Sequence, residues 1–207
     1  MHPLFLYGII PTDYASLQAS YPTLKSFKDK VSDLEKQGEI IRLKRGVYVV
    51  SPAVTGKDIS IELIANHLYG PSYVSLESAL RFHGLIPEFV PTTFSMTLKR
   101  SRSFKNQFGQ FEYISCSNDY YPIGIKQIIQ EEITFLMASP EKALCDLIAY
   151  TPKLRLRSVK SLQTFLEEDL RFNMVELRNM KISIFEQCAE KSKKKTDIYN
   201  LVKLMKR

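Results

Sequence analysis

Residues Pro22 to Val50 read PTLKSFKDKVSDLEKQGEIIRLKRGVYVV. Leu24, Phe27, Val31 and Leu34 recur at helical spacing, which predicts a helix over Pro22–Gln37 with one apolar face. Pro22 suits the first turn, where its missing N–H is not needed, and Gly38 suits the left-handed residue that ends a helix. After Gly38 the period falls to two. Ile40, Arg42 and Lys44 alternate with Ile41, Leu43 and Arg45, Gly46 supplies a turn, and Val47–Val50 is β-branched and aromatic. Upstream, Thr12-Asp13 can cap a short helix ending near Ser20. Two helices followed by a hairpin with a basic tip at Lys44-Arg45-Gly46 predict a winged helix-turn-helix.

With the apolar stripe turned inward at about 100° per residue, Pro22, Lys25, Ser26, Asp29, Asp33 and Lys36 face outward. Thr23, Lys25, Ser26 and Lys28 carry the cations and hydroxyls that suit a major groove, and Lys44 and Arg45 suit phosphate. Asp29 and Asp33 repel a phosphate wall, and Lys25 can pair with Asp29 at i, i+4. The alternative is a winged helix used as a protein-contact or packing unit, and the basic wing tip with the cationic, hydroxylic start of the helix favours DNA over it.

Apolar residues make up 44% of the 207, enough for a real core, and no run of about 18 of them is present to cross a membrane. The start, MHPLFLYGIIPTDY, has neither the cationic region nor the small-residue cleavage site of a signal peptide. Cys116, Cys145 and Cys188 are unpaired in spacing and fit buried thiols in a reducing cytoplasm. The net charge is +7 and unevenly placed. Residues 1–50 hold seven basic against five acidic residues, 51–150 eight against ten, and 151–207 fourteen against seven, so the excess lies far from the predicted wing. Lys99, Arg100, Arg102 and Lys105 form an acid-free run, and Lys153, Arg155, Arg157 and Lys160 form another. Both are candidate contacts to a phosphate backbone.

Ser51–Asp58 reads as a linker, dividing the chain into 1–52 and 53–207. Helical spacing follows over Ile59–Leu68, and Ser75 caps a helix stopped at Gly84. Strands are predicted at Thr92–Leu98, Phe108–Cys116, Ile123–Ile129 and Glu132–Met137, with the 99–105 run as a connection. Ser139 caps a helix with Pro140 in its first position. Beyond Thr151-Pro152 the spacing predicts helices at Val159–Asp169, Met174–Asn179, Ile182–Glu190 and Thr196–Lys206. The expected class is α+β: a winged helix-turn-helix, then a mixed domain with a small antiparallel sheet, and a helical end from about residue 151.

The passages LEKQGEIIRLKRGVYVV (34–50), GPSYVSLESALRFHGLIPE (70–88), the strand and basic turn from Phe94 to Lys105, and ASPEKALCDLIAY (138–150) follow one another in an order that resembles the AbiEi-type antitoxins. These are partners of nucleotidyltransferase toxins in abortive-infection, phage-resistance toxin–antitoxin systems. The resemblance implies a two-domain cytoplasmic regulator. Its winged helix would bind and repress its own promoter as duplex DNA, and its second domain would counter the toxin. It also implies Thr23, Lys25, Ser26 and Lys28 as groove residues and Arg42, Lys44 and Arg45 as wing residues. No metal, cofactor or membrane enters this reading. The alternative is a protein- or RNA-interaction module working through the basic last third, with a vestigial winged helix.

Other chemistry is sparse. Ser139 and Lys142 match S-x-x-K, a serine with a lysine base one turn on, although Ser-Pro-Glu is also an ordinary helix cap. Glu77 and Arg81 are spaced as an ion pair, and His83 sits where a helix C-terminus favours it. His2, His67 and the cysteines show no metal spacing, and no Gly-rich phosphate loop is present. Phe108, Phe111, Tyr113, Tyr120 and Tyr121 lie near the 99–105 run, where aromatics either stack on bases or fill a core.

Overall fold

The computed structural model describes residues 3–24 and 26–206, and it is α+β. Leu4, within a short 3-10 segment Pro3–Tyr7, opens the first of two hydrophobic cores. Strand β1 (Thr12–Asp13) leads into helix α1 (Tyr14–Ala19), capped by the Asp13 carboxylate accepting from the Ser16 amide at 2.7 Å. Helix α2 (Phe27–Lys36) packs Phe27, Val31 and Leu34 against Leu17. Strands β2 (Ile40–Lys44) and β3 (Val47–Val50) form the hairpin, and β1 joins the outside of β3 to give the order β1-β3-β2.

Helix α2 begins five residues later than Pro22, the start expected from spacing. Pro22-Thr23 forms a turn closed by the Leu24 amide on the Tyr21 carbonyl, and Ser26 is extended as the N-cap residue. Leu24 therefore lies outside the stripe, 43% exposed.

The hairpin serves two cores. Ile40, Tyr48 and Val50 face α1 and α2, whereas Leu43 and Val49 face the larger core of the remaining chain. This is the period-two alternation of a strand buried on both sides.

After the short helix α3 (Pro52–Thr55), where a linker was expected, helix α4 (Ile61–Leu68) leads to strand β4 (Ser72–Val74). Helix α5 (Leu76–Phe82) follows, then β5 (Thr92–Thr97), β6 (Arg102–Asn106), β7 (Gly109–Ser115), β8 (Ile125–Gln130) and β9 (Ile133–Ala138). These six strands form one sheet in the order β6-β7-β5-β4-β9-β8. It is mixed, which corrects the expected small antiparallel sheet: β5 runs parallel to β7, and β4 parallel to β9. Because β6 takes the edge outside β7, the chain returns parallel to β5 without a crossover helix. The 99–105 run is accordingly part of a strand, not only a connection.

Helix α6 (Pro140–Tyr150) lies in the centre, with eight residues from Glu141 to Ile148 buried. Ser139 caps it as read, accepting from the Lys142 amide at 3.3 Å. Helix α7 (Val159–Thr164), its π-helical continuation Phe165–Asp169, α8 (Met174–Leu177), α9 (Ile182–Lys191) and α10 (Lys195–Met205) complete the helical end, close to the expected spans.

Two charges on α6 are fully withdrawn from water. Lys142 Nζ lies 3.1 Å from Asp146 Oδ1 as an ion-pair contact, and donates to the Tyr120 carbonyl at 3.0 Å. Asp146 Oδ2 accepts from Tyr73 at 3.0 Å and Ser75 at 2.6 Å. The Ser75 hydroxyl thus goes to Asp146 and does not cap α5, although Ser75 holds the N-cap position. Gly124 lets its loop approach this site. Its φ is +65°, and a Cβ there would meet the Lys142 Cβ at 2.8 Å.

Gly124→Ala is expected to lower stability by about 2 kcal/mol or more. Gly56→Ala, at φ +68° but in open space, should lose about 1 kcal/mol. Urea unfolding followed by circular dichroism compares them, and equal losses would rule out close packing as the reason for Gly124.

Candidate nucleic-acid interface

The hairpin tip and the β6 edge meet. Asn106, at the end of β6, donates through Nδ2 to the Leu43 carbonyl at 3.2 Å. A register shift between Arg42 and Lys44 marks a bulge, so that Lys44 pairs with Val47 on the side facing the larger core. Lys44 there donates to the Leu68 carbonyl at the end of α4. Its ammonium lies 5.4 Å from the Phe104 ring centroid, and Arg102 lies 5.1 Å from the same ring. Lys99 stands 5.2 Å from the Tyr69 ring, which packs 5.7 Å from Phe104. Three cations from two distant segments therefore gather around one aromatic pair. Burial, and then the nearby charges of Lys99 and Arg102, hold the Lys44 ammonium below its ordinary value. A polyanion placed here relieves that mutual repulsion.

The remaining expected contacts fare differently. Thr23, Lys28 and Arg45 are exposed, Arg45 at the hairpin tip. Lys25 lies outside the described residues. Ser26 donates to Asp29 Oδ2 at 2.6 Å, so its hydroxyl is engaged, and Asp29 takes a place in the first helical turn that favours a negative charge. Arg42, expected as a wing residue, makes a bidentate pair with Glu35, both bonds 2.6 Å, and ties β2 to α2. Lys44, expected at the wing tip, is anchored on the end of α4. Arg100 and Lys105 are exposed beside the cluster.

Lys153, Arg155, Arg157 and Lys160 are exposed but sit elsewhere, on a segment held to α10. There the Leu156 amide donates to Asp197 at 3.3 Å, and Asn200 donates to the Leu156 carbonyl at 2.7 Å. Part of the C-terminal charge is used internally. Lys194 donates to the carbonyls of Ile148 and Thr151 at the end of α6 and of Leu154 just beyond it, while Lys191 and Lys195 pair with Asp119 and Glu190.

Sequence reasoning missed Tyr69 and Phe104. A signal existed for Phe104: read as a strand, RSF at 102–104 puts Arg102 and Phe104 on one face. Phe111, Tyr113 and Tyr120 are buried, so they fill the core rather than a base-stacking surface.

The Ser139–Lys142 pair does not form a nucleophile and base, since Ser139 caps the helix and Lys142 Nζ points to Asp146. Among the described residues no group of three or more His, Cys, Asp or Glu could hold a metal ion, and no helix is long and apolar enough to cross a membrane. No model of a known protein family matches the chain, and no curated protein matches it significantly in sequence.

His83 is packed at the end of α5, its Nε2 2.9 Å from the Ala138 carbonyl. Glu77 and Arg81 do not pair. Arg81 lies over the Phe89 ring at 4.9 Å, and Glu77 Oε2 is buried without a hydrogen-bond partner. Burial raises the Glu77 carboxyl above its ordinary value. The folded state thus binds its proton more tightly than the unfolded chain, and stability from this group falls as pH rises from 4.5 through the raised value. Glu77→Gln is expected to stabilise the protein at pH 7 by roughly 0.5–1 kcal/mol, and to match the wild type near pH 4. Urea midpoints at the two pH values check this.

Proposed function

We propose that residues 1–52 act as a winged helix-turn-helix on duplex DNA. In this reading the chain is a cytoplasmic transcriptional autorepressor and the antitoxin to a nucleotidyltransferase toxin. The observation that carries the DNA half is the convergence of Lys44, Lys99 and Arg102 around Phe104 and Tyr69, beside the exposed Arg45 tip. Two helices followed by the β2–β3 hairpin, with β1 from ahead of the helices added outside β3, support the winged-helix reading. The antitoxin half rests on the resemblance of the four passages between Leu34 and Tyr150.

In this reading Lys28, in the first turn of α2, and Thr23, in the turn that precedes the helix, enter the major groove, Arg45 reaches the adjacent backbone, and Lys99, Arg100, Arg102 and Lys105 extend the phosphate contact along β6. Ser26 bound to Asp29 leaves fewer base contacts than the sequence promised, so affinity comes mainly from phosphate. A module working through the last third has less support, because Lys191, Lys194 and Lys195 already have partners within the chain.

Fluorescence anisotropy on a promoter duplex over a salt series tests the DNA half. Lys99→Ala/Arg102→Ala should flatten the slope of log K against log salt by about 2, and Arg45→Ala by about 1. Lys153→Ala/Lys160→Ala should leave it unchanged. Flattening only in the last variant would transfer the contact to the C-terminal third, and an absence of duplex binding would end the reading. Growth rescue on co-expression with a nucleotidyltransferase encoded beside it tests the antitoxin half.

A further inference from the structure

The six-stranded sheet has two edges of opposite electrical character. β6 carries Arg102 and Lys105 and no acid, so two copies of that edge repel. β8 reads IKQIIQ, with Lys126 near its start and the turn Glu131-Glu132 at its end. It pairs with β9 alone, and among the described residues no backbone hydrogen bond reaches its other side. Lys126, Gln127, Ile129 and Gln130 are exposed, and Ile129, the fifth of the six residues of this open edge, is 72% exposed. An open edge bearing an exposed branched apolar residue is a pairing surface unless something repels a partner strand.

A strand positive at its start and negative at its end repels a parallel copy and attracts an antiparallel one. A two-fold axis perpendicular to the sheet pairs side chains on the same face. Centred on Ile129, it sets Ile129 against its own copy and carries each Lys126 to the acidic turn of the other chain. Glu131 has no partner within its own chain among the described residues, and Glu132 shares only an exposed pair with Lys57. We propose that β8 is a homodimer interface, to which a second copy of this chain adds its β8 antiparallel and joins the two sheets into one. The proposal does not rest on DNA binding. Were both correct, the dimer would present two helix–hairpin units related by the symmetry of a palindromic site.

Sedimentation equilibrium of the full chain without DNA, over a micromolar concentration series, is expected to show a monomer–dimer equilibrium. Ile129→Lys should raise the dimer dissociation constant about tenfold or more, with the circular dichroism spectrum unchanged. Lys126→Glu should weaken self-association, as should Glu131→Lys/Glu132→Lys, and an equimolar mixture of these two variants should recover a heterodimer. The charge exchange uses exposed positions and stands even if Ile129→Lys perturbs folding. A wild-type monomer at every concentration, a dimer insensitive to all of these variants, or no heterodimer in the mixture would each overturn the proposal.

Discussion

The central constraint in this protein is the ion pair between Lys142 and Asp146, both fully buried on α6. Removing one partner from such a pair leaves an uncompensated charge, which costs about 3–5 kcal/mol. The surrounding elements are placed to satisfy it: Tyr73 from β4 and Ser75 at the start of α5 supply donors, and the Tyr120 carbonyl receives the ammonium. β4 itself is three residues long and fully buried, and it joins the two halves of the sheet through β5 and β9. The helix that carries the charges and the strand that completes the sheet are thus held by the same atoms.

Around that centre the helix–hairpin unit is attached through its sheet. Val49 and Leu43 belong to the larger core while Tyr48 and Val50 belong to the smaller one, so the hairpin orientation is set from both sides. This is what brings Lys44 to the end of α4 and beside β6. The basic character of the surface there comes from packing as much as from composition, because the hairpin tip and the acid-free 99–105 run, far apart in sequence, are folded onto one aromatic pair. The C-terminal third, which holds most of the excess, uses several of its lysines to close helix ends and ion pairs.

Much of the fold was legible as periodicity. The helical end from Val159 onward, the hairpin from Ile40 to Val50 and the Ser139 cap follow from spacing and cap chemistry that act over one turn or one strand. The misreadings have local physical causes. β4 is too short between Pro71 and Ser75 to show a period, and α2 starts late because Pro22 begins a turn that closes on Tyr21. Glu77 and Arg81 have the spacing of a pair, yet the guanidinium lies over Phe89 and Glu77 Oε2 is left without a hydrogen-bond partner. On α6 the S-x-x-K spacing drew attention to Ser139, whereas the partner of Lys142 is Asp146, one turn further on.

From the chain of residues alone come the helices, the caps, the hairpin with its basic tip, and the two acid-free runs at 99–105 and 153–160. Those are consequences of side-chain order within a few residues. Folding in three dimensions chose between the runs, placing one beside the hairpin and the other on α10. It also tied Arg42 to Glu35 and Lys44 to the end of α4, and joined the strands in a mixed order. Each of these depends on a contact between residues far apart in the chain, such as a bulge meeting the end of α4, and no short-range pattern encodes where such partners will meet.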